Sequence, residues 1–383
     1  MQPWARFDDL RAGTAVWFPR ASHALVATSP DDVAPVLAEV ERATASGAWA
    51  FGYVSYEAAR GLDPALPVHE PVAGLPLAWF GIGPPPMTVP VVEPPSPRGY
   101  TAGPWHCAWT APEHRRAVRA VRDRIAAGDT YQVNLTTRMS APVSGSLEDF
   151  YAELALAQQG AYHAYLDLGR FAIAGASPEL FFELRGRDLV MRPMKGTAPR
   201  GATPAADARL ARDLRTSEKD RAENIMIVDL VRNDLARVAA TGSVAVTALC
   251  RLERYETVHQ LTSEVTARLR PEVGLVDVFR ALFPCGSVTG APKRETMRII
   301  RDLEPGPRGV YCGAVGVLGP GFARFNVAIR TACVDRATGT AEYGTGGGVT
   351  WSSDPAGEYA ELLAKTRVLP CHTSDETVRY SSL

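Results

Sequence analysis

Apolar and polar residues follow two spacings along this chain, and together they predict a mixture of strands and helices. Short apolar or alternating stretches, bounded by glycine, proline or charged residues, predict β-strands at residues 15–19, 23–28, 49–56, 162–167, 171–177, 180–184, 188–192, 314–318, 325–334 and 340–344. Longer stretches with the spacing of one helix face predict α-helices at residues 31–44, 112–127, 207–239, 274–282, 293–303 and 356–369. Runs of strands that follow one another directly favour antiparallel pairing and an α+β fold.

A proline-rich stretch divides the chain unevenly. Eight of the 22 residues from Pro76 to Pro97 are proline, which favours an extended connector. We therefore predict an N-terminal α+β segment over residues 1–97, packed onto a larger core over residues 98–383.

The overall composition excludes several classes of protein. With 46% apolar residues, 22% charged residues and a net charge of -1, the chain is typical of a globular protein and has no basic field for nucleic acid. Its six cysteines show no CxxC spacing and its seven histidines no HxxxH or HExxH pair, so we expect neither disulfides nor a histidine-based metal site. No signal-peptide pattern or long apolar stretch is present, and we expect a cytoplasmic protein with no membrane partner.

Two pairs of carboxylates suggest a cation site. Asp220 with Glu223, and Glu358 with Glu361, are spaced i,i+3 in predicted helices, so each pair lies on one helix face. Hard oxygen ligands suit magnesium, which shares its coordination with water and an anionic substrate. A solvated helix face is the alternative, because Glu361 can pair with Lys365 four residues later.

Three other residues allow a catalytic and a structural interpretation. Lys195 follows a strand and is bracketed by proline and glycine, so it is either a desolvated nucleophile or a loop lysine that reaches water. Glu179 has apolar neighbours that would raise its pKa toward that of a general acid, unless it is only a carboxylate at a strand edge. His259 alone favours a hydrogen-bonded structural histidine.

Several of these stretches, taken in order, resemble the chorismate-utilising enzymes, which include anthranilate, isochorismate, salicylate and aminodeoxychorismate synthases. The resemblance covers about residues 112 to 369, roughly two thirds of the chain. It rests on residues 128–135 (GDTYQVNL), 177–179 (SPE), 219–224 (KDRAEN), 228–235 (VDLVRNDL), 286–293 (GSVTGAPK), 311–316 (YCGAVG), 329–331 (IRT) and 346–348 (GGG). It implies that antiparallel sheets pack as a sandwich with helices outside and the site between them.

The resemblance also implies a set of ligands. Glu223 and Glu361 would bind Mg²⁺, with Glu358 close by and Asp220 in contact through water, and the ion would hold the ring carboxylate of chorismate. The remaining contacts to substrate would come from the ring-side His259, the loop residue Thr289, and the carboxylate contacts Tyr311, Arg330, Gly346, Gly347 and Lys365.

Two positions are similar to the aminodeoxychorismate subgroup. Anthranilate synthases have a small residue where this chain has Lys195, whose amine would add at C2 while Glu179 protonates the departing C4 hydroxyl. Gln132 stands where isochorismate and salicylate synthases have a lysine that activates water, and a neutral amide is no general base. The expected product is 4-amino-4-deoxychorismate, made for 4-aminobenzoate and folate synthesis or for a specialised pathway.

Other functions remain open. One is an anthranilate or 2-amino-2-deoxyisochorismate synthase, and another is a catalytically silent chorismate-binding subunit. The chain has no Gly-x-Cys-x-Gly turn for glutamine hydrolysis, so we expect ammonia to come from a partner glutaminase subunit. The sequence departs from the usual family pattern at Cys285, where glycine is usual, and at Met194, where isoleucine is common.

Overall fold

The computed structural model describes residues 2–255 and 258–371. Its strands are β1 (Trp4–Asp9), β2 (Thr14–Phe18), β3 (His23–Ala27), β4 (Trp49–Val54), β5 (Ala78–Gly83), β6 (Met87–Val89), β7 (Tyr100–Ala102), β8 (His106–Cys107), β9 (Gln132–Gly145), β10 (Tyr162–Asp167), β11 (Phe171–Ser177), β12 (Leu180–Arg185), β13 (Asp188–Arg192), β14 (Met194–Pro199), β15 (Ala245–Arg254), β16 (Val258–Arg268), β17 (Gly290–Ala291), β18 (Ala314–Gly319), β19 (Phe322–Val327), β20 (Thr331–Asp335) and β21 (Thr340–Val349). Its α-helices are α1 (Pro30–Ala45), α2 (Ala59–Leu62), α3 (Ala111–Ala126), α4 (Leu147–Gln158), α5 (Pro204–Thr216), α6 (Glu218–Ala236), α7 (Leu275–Leu282), α8 (Lys293–Leu303) and α9 (Pro355–Lys365).

The strands pair antiparallel and form two large sheets. The first has eleven strands in the main order β17-β9-β21-β20-β11-β10-β1-β2-β6. The second has ten strands in the main order β14-β16-β13-β12-β19-β18-β4-β5-β3. Strands β1, β2 and β6 join the first sheet and β3 to β5 join the second, so the N-terminal segment contributes to both. The proline-rich stretch contains β5, and the division of the chain at residue 97 stays a prediction.

The two sheets pack face to face, with helices on their outer faces. Between them lies an apolar cluster in which the rings of Phe18 on β2 and Phe51 on β4 are 5.0 Å apart. Phe279 on α7 packs against Phe325 on the outer face of the second sheet, and Phe150 on α4 belongs to the cluster outside the first sheet. This arrangement confirms the predicted α+β sandwich.

Two predicted elements are each divided into two in the structure. The helix expected over residues 207–239 is two helices, because Ser217 has extended backbone and its hydroxyl caps α6 by accepting from the Asp220 N–H. The strand expected over residues 325–334 is β19 and β20, which belong to different sheets. Arg330 lies between them with φ 51°, in the left-handed region, and the chain turns there from one sheet to the other.

A buried ion pair joins the two sheets. Arg308, in the segment before β18 of the second sheet, pairs with Glu304 at 2.6 Å and 2.9 Å, and both side chains are almost fully buried. Its remaining donors reach the carbonyl oxygens of Val288 at 2.7 Å and of Asn134 on β9 of the first sheet at 2.8 Å. Because a buried guanidinium needs every donor satisfied, these bonds fix the relative positions of three segments.

The N-terminal segment is tied to the same place. The carboxylate of Glu57 accepts the backbone N–H groups of Arg308 at 2.7 Å and of Gly309 at 2.9 Å. The guanidinium of Arg308 lies over the ring of Tyr56, 4.6 Å from its centroid. Burial raises the pKa of Glu57 to about 7, although these N–H groups favour its charged form.

We expect Arg308→Met to lower the free energy of unfolding by about 3–5 kcal/mol, because it leaves the Glu304 carboxylate buried without its partner. Arg301→Met, which removes an exposed pair with Asp302 on the same helix, should change it by less than about 1 kcal/mol. Urea denaturation followed by circular dichroism measures both. Equal midpoints for the two variants would contradict the importance given to the buried pair.

Candidate functional site

Lys195 lies at an irregularity of β14. Pairing of β14 with β16 shifts between Met194 and Thr197, and Gly196 takes a φ of 84° there. The side-chain amide of Asn224 donates to the Lys195 carbonyl at 3.3 Å, and that of Gln260 donates to the Gly196 carbonyl at 2.8 Å. An irregularity of this kind re-aims a side chain, and here it is held by hydrogen bonds from two neighbouring elements.

The amine of Lys195 meets the first sheet at Gly348 on β21. A Cβ atom at Gly348 would lie 2.9 Å from the Lys195 Nζ and 2.8 Å from the Gln132 Nε2. Gln132 is fully buried, and both polar atoms of its amide lack a hydrogen-bond partner among the residues that the structure describes. Buried amides are normally paired, so this amide is available to a ligand.

Glu179, between β11 and β12, supplies the acidic group of the site. It is 3% exposed, and within the described chain its Oε1 has no hydrogen-bond partner. Burial raises its pKa to about 7, while the Ser287 hydroxyl and the Lys195 charge act in the opposite direction. Glu179 can therefore hold a proton near neutral pH.

The environment of Lys195 favours its neutral amine. Burial lowers the pKa of Lys195, and the nearby Lys365 charge lowers it further. The carboxylates of Glu223, Glu179 and Glu361 oppose this shift. Burial therefore shifts the pKa of Lys195 downward and that of Glu179 upward, and both shifts favour nucleophilic attack by the amine with acid assistance from the carboxyl.

The predicted cation ligands come from two helices. Glu223 lies on α6, and Glu358 and Glu361 lie on α9. Burial raises the pKa of Glu223, the charges of Asp220 and Glu358 raise it further, and those of Lys195 and Lys219 lower it. Burial also raises the pKa of Glu358, whose Oε1 accepts from the Ser353 hydroxyl at 2.6 Å.

Lys365 is placed between these acids and the first sheet. Its ammonium donates to the Gly346 carbonyl at 2.7 Å and pairs with Glu361 at 2.8 Å, which lowers the pKa of Glu361. A Cβ atom at Gly347 would lie 3.2 Å from the Glu358 Oε2 and 3.5 Å from the Lys365 Nζ. Across residues 2–255 and 258–371, no three His, Cys, Asp or Glu side chains converge into a ready metal site.

The other predicted ligands have structural contacts. The Nε2 of His259 is 2.9 Å from the Asp207 carboxylate, and its Nδ1 has no partner in the described structure. The Thr289 hydroxyl donates to the Cys285 carbonyl at 3.0 Å. Asp220 and Ser217 form the N-terminal cap of α6.

Two further predicted ligands also pack within the fold. The ring of Tyr311 lies against Gly344, where a Cβ atom would be 2.1 Å from the ring. Arg330 donates to the Gln158 side chain at 2.8 Å. The structure thus brings together Lys195, Gln132, Glu179, Glu223, Glu358, Glu361, Lys365 and Gly347. The roles of these residues and of the other predicted ligands stay predictions.

Comparison with known proteins decides the family. The family model that describes chorismate binding enzymes matches residues 86–370. The chain belongs to this family. Within the described residues, no helix is long and apolar enough to cross a membrane.

Relatives of this chorismate binding enzyme carry two names. The chain is 45% identical to aminodeoxychorismate synthase of Streptomyces griseus over 70% of its own length and 37% of that protein. It is 42% identical to anthranilate synthase component 1 of Streptomyces coelicolor over 69% of its length and 52% of that protein. The chain therefore spans about half or less of the length of these relatives.

A solved structure supports the fold assignment. Anthranilate synthase component I from Streptococcus pneumoniae TIGR4 superposes with a TM-score of 0.78 at 26% identity, covering 96% of this chain and 90% of that one. The resemblance inferred from the sequence motifs is confirmed at the level of family and fold.

Ser287, whose hydroxyl lowers the pKa of Glu179, was not predicted from the sequence. Gly348 was part of the glycine stretch that carried the resemblance, and its missing side chain gives room to the Lys195 amine. Both lie in stretches noted for their glycines. No sequence spacing links Ser287 to Glu179, since the contact depends on how α7 and β12 pack.

We expect Gly348→Ala to weaken chorismate binding at least about tenfold, because the new methyl group would push the Lys195 amine or the Gln132 amide into the space that the ring needs. The unfolding midpoint should change little, since both groups are ends of flexible side chains. Gly357→Ala is the matched control, as a Cβ there meets only ordinary contacts on α9. Calorimetric titration measures the affinity, and an unaltered Kd in Gly348→Ala would refute this role of the glycine.

Proposed function

We propose that this chorismate binding enzyme is an aminodeoxychorismate synthase, which converts chorismate and ammonia to 4-amino-4-deoxychorismate and water. One observation carries the proposal: the Lys195 amine lies beside the Gln132 amide, in a site where burial also raises the pKa of Glu179 to about 7. The identity to the Streptomyces griseus synthase supports it.

The proposed reaction uses Lys195 as a nucleophile. Its neutral amine forms a bond to C2 of chorismate as the C4–O bond breaks, and Glu179 gives its proton to the departing hydroxyl, which leaves as water. Ammonia then forms a bond to C4 while the C2–N bond breaks and releases the neutral Lys195 amine, and the ammonium formed at C4 returns one proton to the Glu179 carboxylate. Burial favours the reactive state of both residues, because it disfavours the ammonium and the carboxylate alike.

Gln132 favours this reaction over the addition of water to the ring. Its amide has no basic atom, so it does not generate hydroxide from a water molecule. Its two free polar atoms instead offer one donor group and one acceptor to the substrate or to ammonia. Because the Gly348 backbone leaves the Lys195 amine and this amide side by side, both face the same part of a bound ring.

Mg²⁺ fits the carboxylates of α6 and α9. Burial raises the pKa of Glu223, and repulsion from Asp220 and Glu358 raises it further. A divalent cation would relieve that repulsion. We propose that Glu223, Glu361 and Glu358 hold the ion, with Asp220 outside them. Bound there, it would neutralise the ring carboxylate of chorismate and hold it near the β21 glycines.

The amine source would be a second protein. We propose a partner glutaminase that delivers neutral ammonia directly, which avoids its protonation and competition with water. The name of the Streptomyces coelicolor relative, component 1, supports a multi-subunit enzyme. The anthranilate alternative takes its support from the same relative, and Lys195 argues against it because ammonia would have to reach C2, where this amine lies.

We expect the chain, given chorismate, ammonium salts and Mg²⁺ at mildly alkaline pH, to form 4-amino-4-deoxychorismate, and glutamine alone to give no product until a glutaminase subunit is added. Lys195→Ala should lower the rate by about two orders of magnitude or more and leave chorismate affinity largely unchanged. Arg209→Ala, which removes an exposed cation on α5, is the control. Mass spectrometry of the products reads out both, and nitrogen at C2 in the unmodified enzyme, or full activity of Lys195→Ala, would overturn the assignment.

We expect Glu223→Gln and Glu361→Gln each to weaken Mg²⁺-dependent chorismate binding by about tenfold or more, because each removes a charged oxygen donor. Glu218→Gln, on the exposed side of α6, should bind as the unmodified protein does. Calorimetry with and without Mg²⁺ tests this. Equal chorismate affinity of the unmodified protein in both conditions would exclude the metal clamp.

A further inference from the structure

The turn that leads from β21 into α9 contains a buried serine. Ser353 is 2% exposed, whereas its neighbour Ser352 is exposed. The Thr350 N–H donates to the Ser353 hydroxyl oxygen at 3.0 Å, and the Ser353 N–H donates to the Thr350 carbonyl at 3.1 Å. These two bonds fix the turn and the position of the Ser353 hydroxyl within it.

The first turn of α9 is fixed by its own cap. Pro355 is the first helical residue, and the Asp354 side chain caps the helix by accepting the Gly357 N–H at 2.8 Å. The Asp354 carbonyl accepts the Glu358 N–H at 2.9 Å, so Glu358 lies in that first turn. Because Ser353 directly precedes the cap, its hydroxyl is held next to the Glu358 side chain.

The number of protons decides which way the hydrogen bonds of Ser353 run. A serine hydroxyl has one proton, and its oxygen here already accepts from the Thr350 N–H. The proton is donated to the Glu358 Oε1, which lies 2.6 Å away. That distance is typical of the strong hydrogen bond between a hydroxyl and a charged carboxylate. Ser353 therefore holds one oxygen of Glu358 in a defined place.

The other oxygen of Glu358 is directed toward the first sheet. A Cβ atom at Gly347 on β21 would lie 3.2 Å from the Glu358 Oε2 and 3.8 Å from the Glu361 Oε1. The missing side chain of Gly347 thus leaves a space that both acids of α9 border. Because Ser353 holds Oε1, Oε2 is the oxygen that Glu358 offers to this space.

We propose that Ser353 is a positioning residue of the cation site, whose hydroxyl holds the Glu358 Oε1 so that Oε2 is presented to Mg²⁺ beside the Glu361 carboxylate. This inference rests on the proposed function, in which the carboxylates of α6 and α9 hold the ion. A metal ligand that is already oriented by an outer hydrogen bond loses less conformational freedom when the ion binds. Ser353 thus acts on the ion through Glu358 and does not contact it.

Binding of Mg²⁺ alone tests the proposal without turnover, by competition with Mn²⁺, whose free form is counted by electron paramagnetic resonance. Ser353→Ala should weaken Mg²⁺ binding by about tenfold, because outer partners of metal ligands contribute on that scale. Ser353→Thr keeps the hydroxyl and should restore most of the affinity. The matched control is Ser352→Ala, which removes an exposed hydroxyl 3.3 Å from that of Thr350 and should leave Mg²⁺ binding unchanged.

A double-mutant cycle separates positioning of Glu358 from a general loss of structure. If Ser353 acts through Glu358, Ser353→Ala should change the Mg²⁺ affinity by less than about twofold when Glu358→Ala is already present. An equal loss of affinity in both backgrounds, or an unchanged affinity in Ser353→Ala alone, would overturn the proposal. The unfolding midpoint of Ser353→Ala and its chorismate affinity without Mg²⁺ should match those of the unmodified protein.

The ion affinities do not depend on which product the enzyme forms. Nitrogen at C2 of the product would overturn the proposed function and leave the role of Ser353 standing. An unmodified protein that binds no Mg²⁺ would overturn the role of Ser353, whatever the product.

Discussion

The buried ion pair between Arg308 and Glu304 is the constraint on which the site depends. The Arg308 guanidinium donates to the carbonyl of Val288, in the loop that carries Ser287 and Thr289. It also donates to the carbonyl of Asn134, on the strand that begins at Gln132. Glu304 also accepts from the backbone and hydroxyl of Thr136 on β9. Because a buried charge tolerates no unpaired donor, one pair sets the register of the loop and strand against the second sheet, which carries Lys195.

Burial shifts the pKa values of Lys195 and Glu179, the proposed nucleophile and acid, in opposite directions. It lowers the pKa of Lys195 and raises that of Glu179, so each is driven toward its uncharged form. In the proposed reaction, the same desolvation that costs stability elsewhere favours an uncharged amine at Lys195 and a proton donor at Glu179. The carboxylates of Glu223 on α6 and Glu361 on α9 raise the pKa of Lys195 and so oppose the effect of burial. The reactivity of the amine therefore depends on the charge at the proposed cation site.

The sequence predicted the strands correctly where their buried residues are apolar and serve only the core. Strands β10 to β13 are short, mostly apolar and bounded by turn residues, and they were predicted almost to the residue. The 14-residue strand β9 was missed, because Gln132, Asn134 and Thr136 are polar residues buried in the site and in the Arg308 network, and they break the apolar pattern. The i,i+3 spacing predicted which acids share a helix face. The effect of Ser287 on the pKa of Glu179 could not be predicted in this way, because it depends on tertiary packing.

The alternation of faces along a strand explains why consecutive glycines of β21 have different neighbours. Successive residues of a strand face opposite sides, so Gly347 faces Glu358 and Lys365 while Gly348 faces the Lys195 amine and the Gln132 amide. At Gly346 a Cβ atom would lie 2.2 Å from the Leu135 carbonyl of the neighbouring strand. The missing side chains of these glycines therefore let one backbone lie between Glu358 and Lys365 on one side and Lys195 on the other, which separates the proposed cation ligands from the proposed nucleophile.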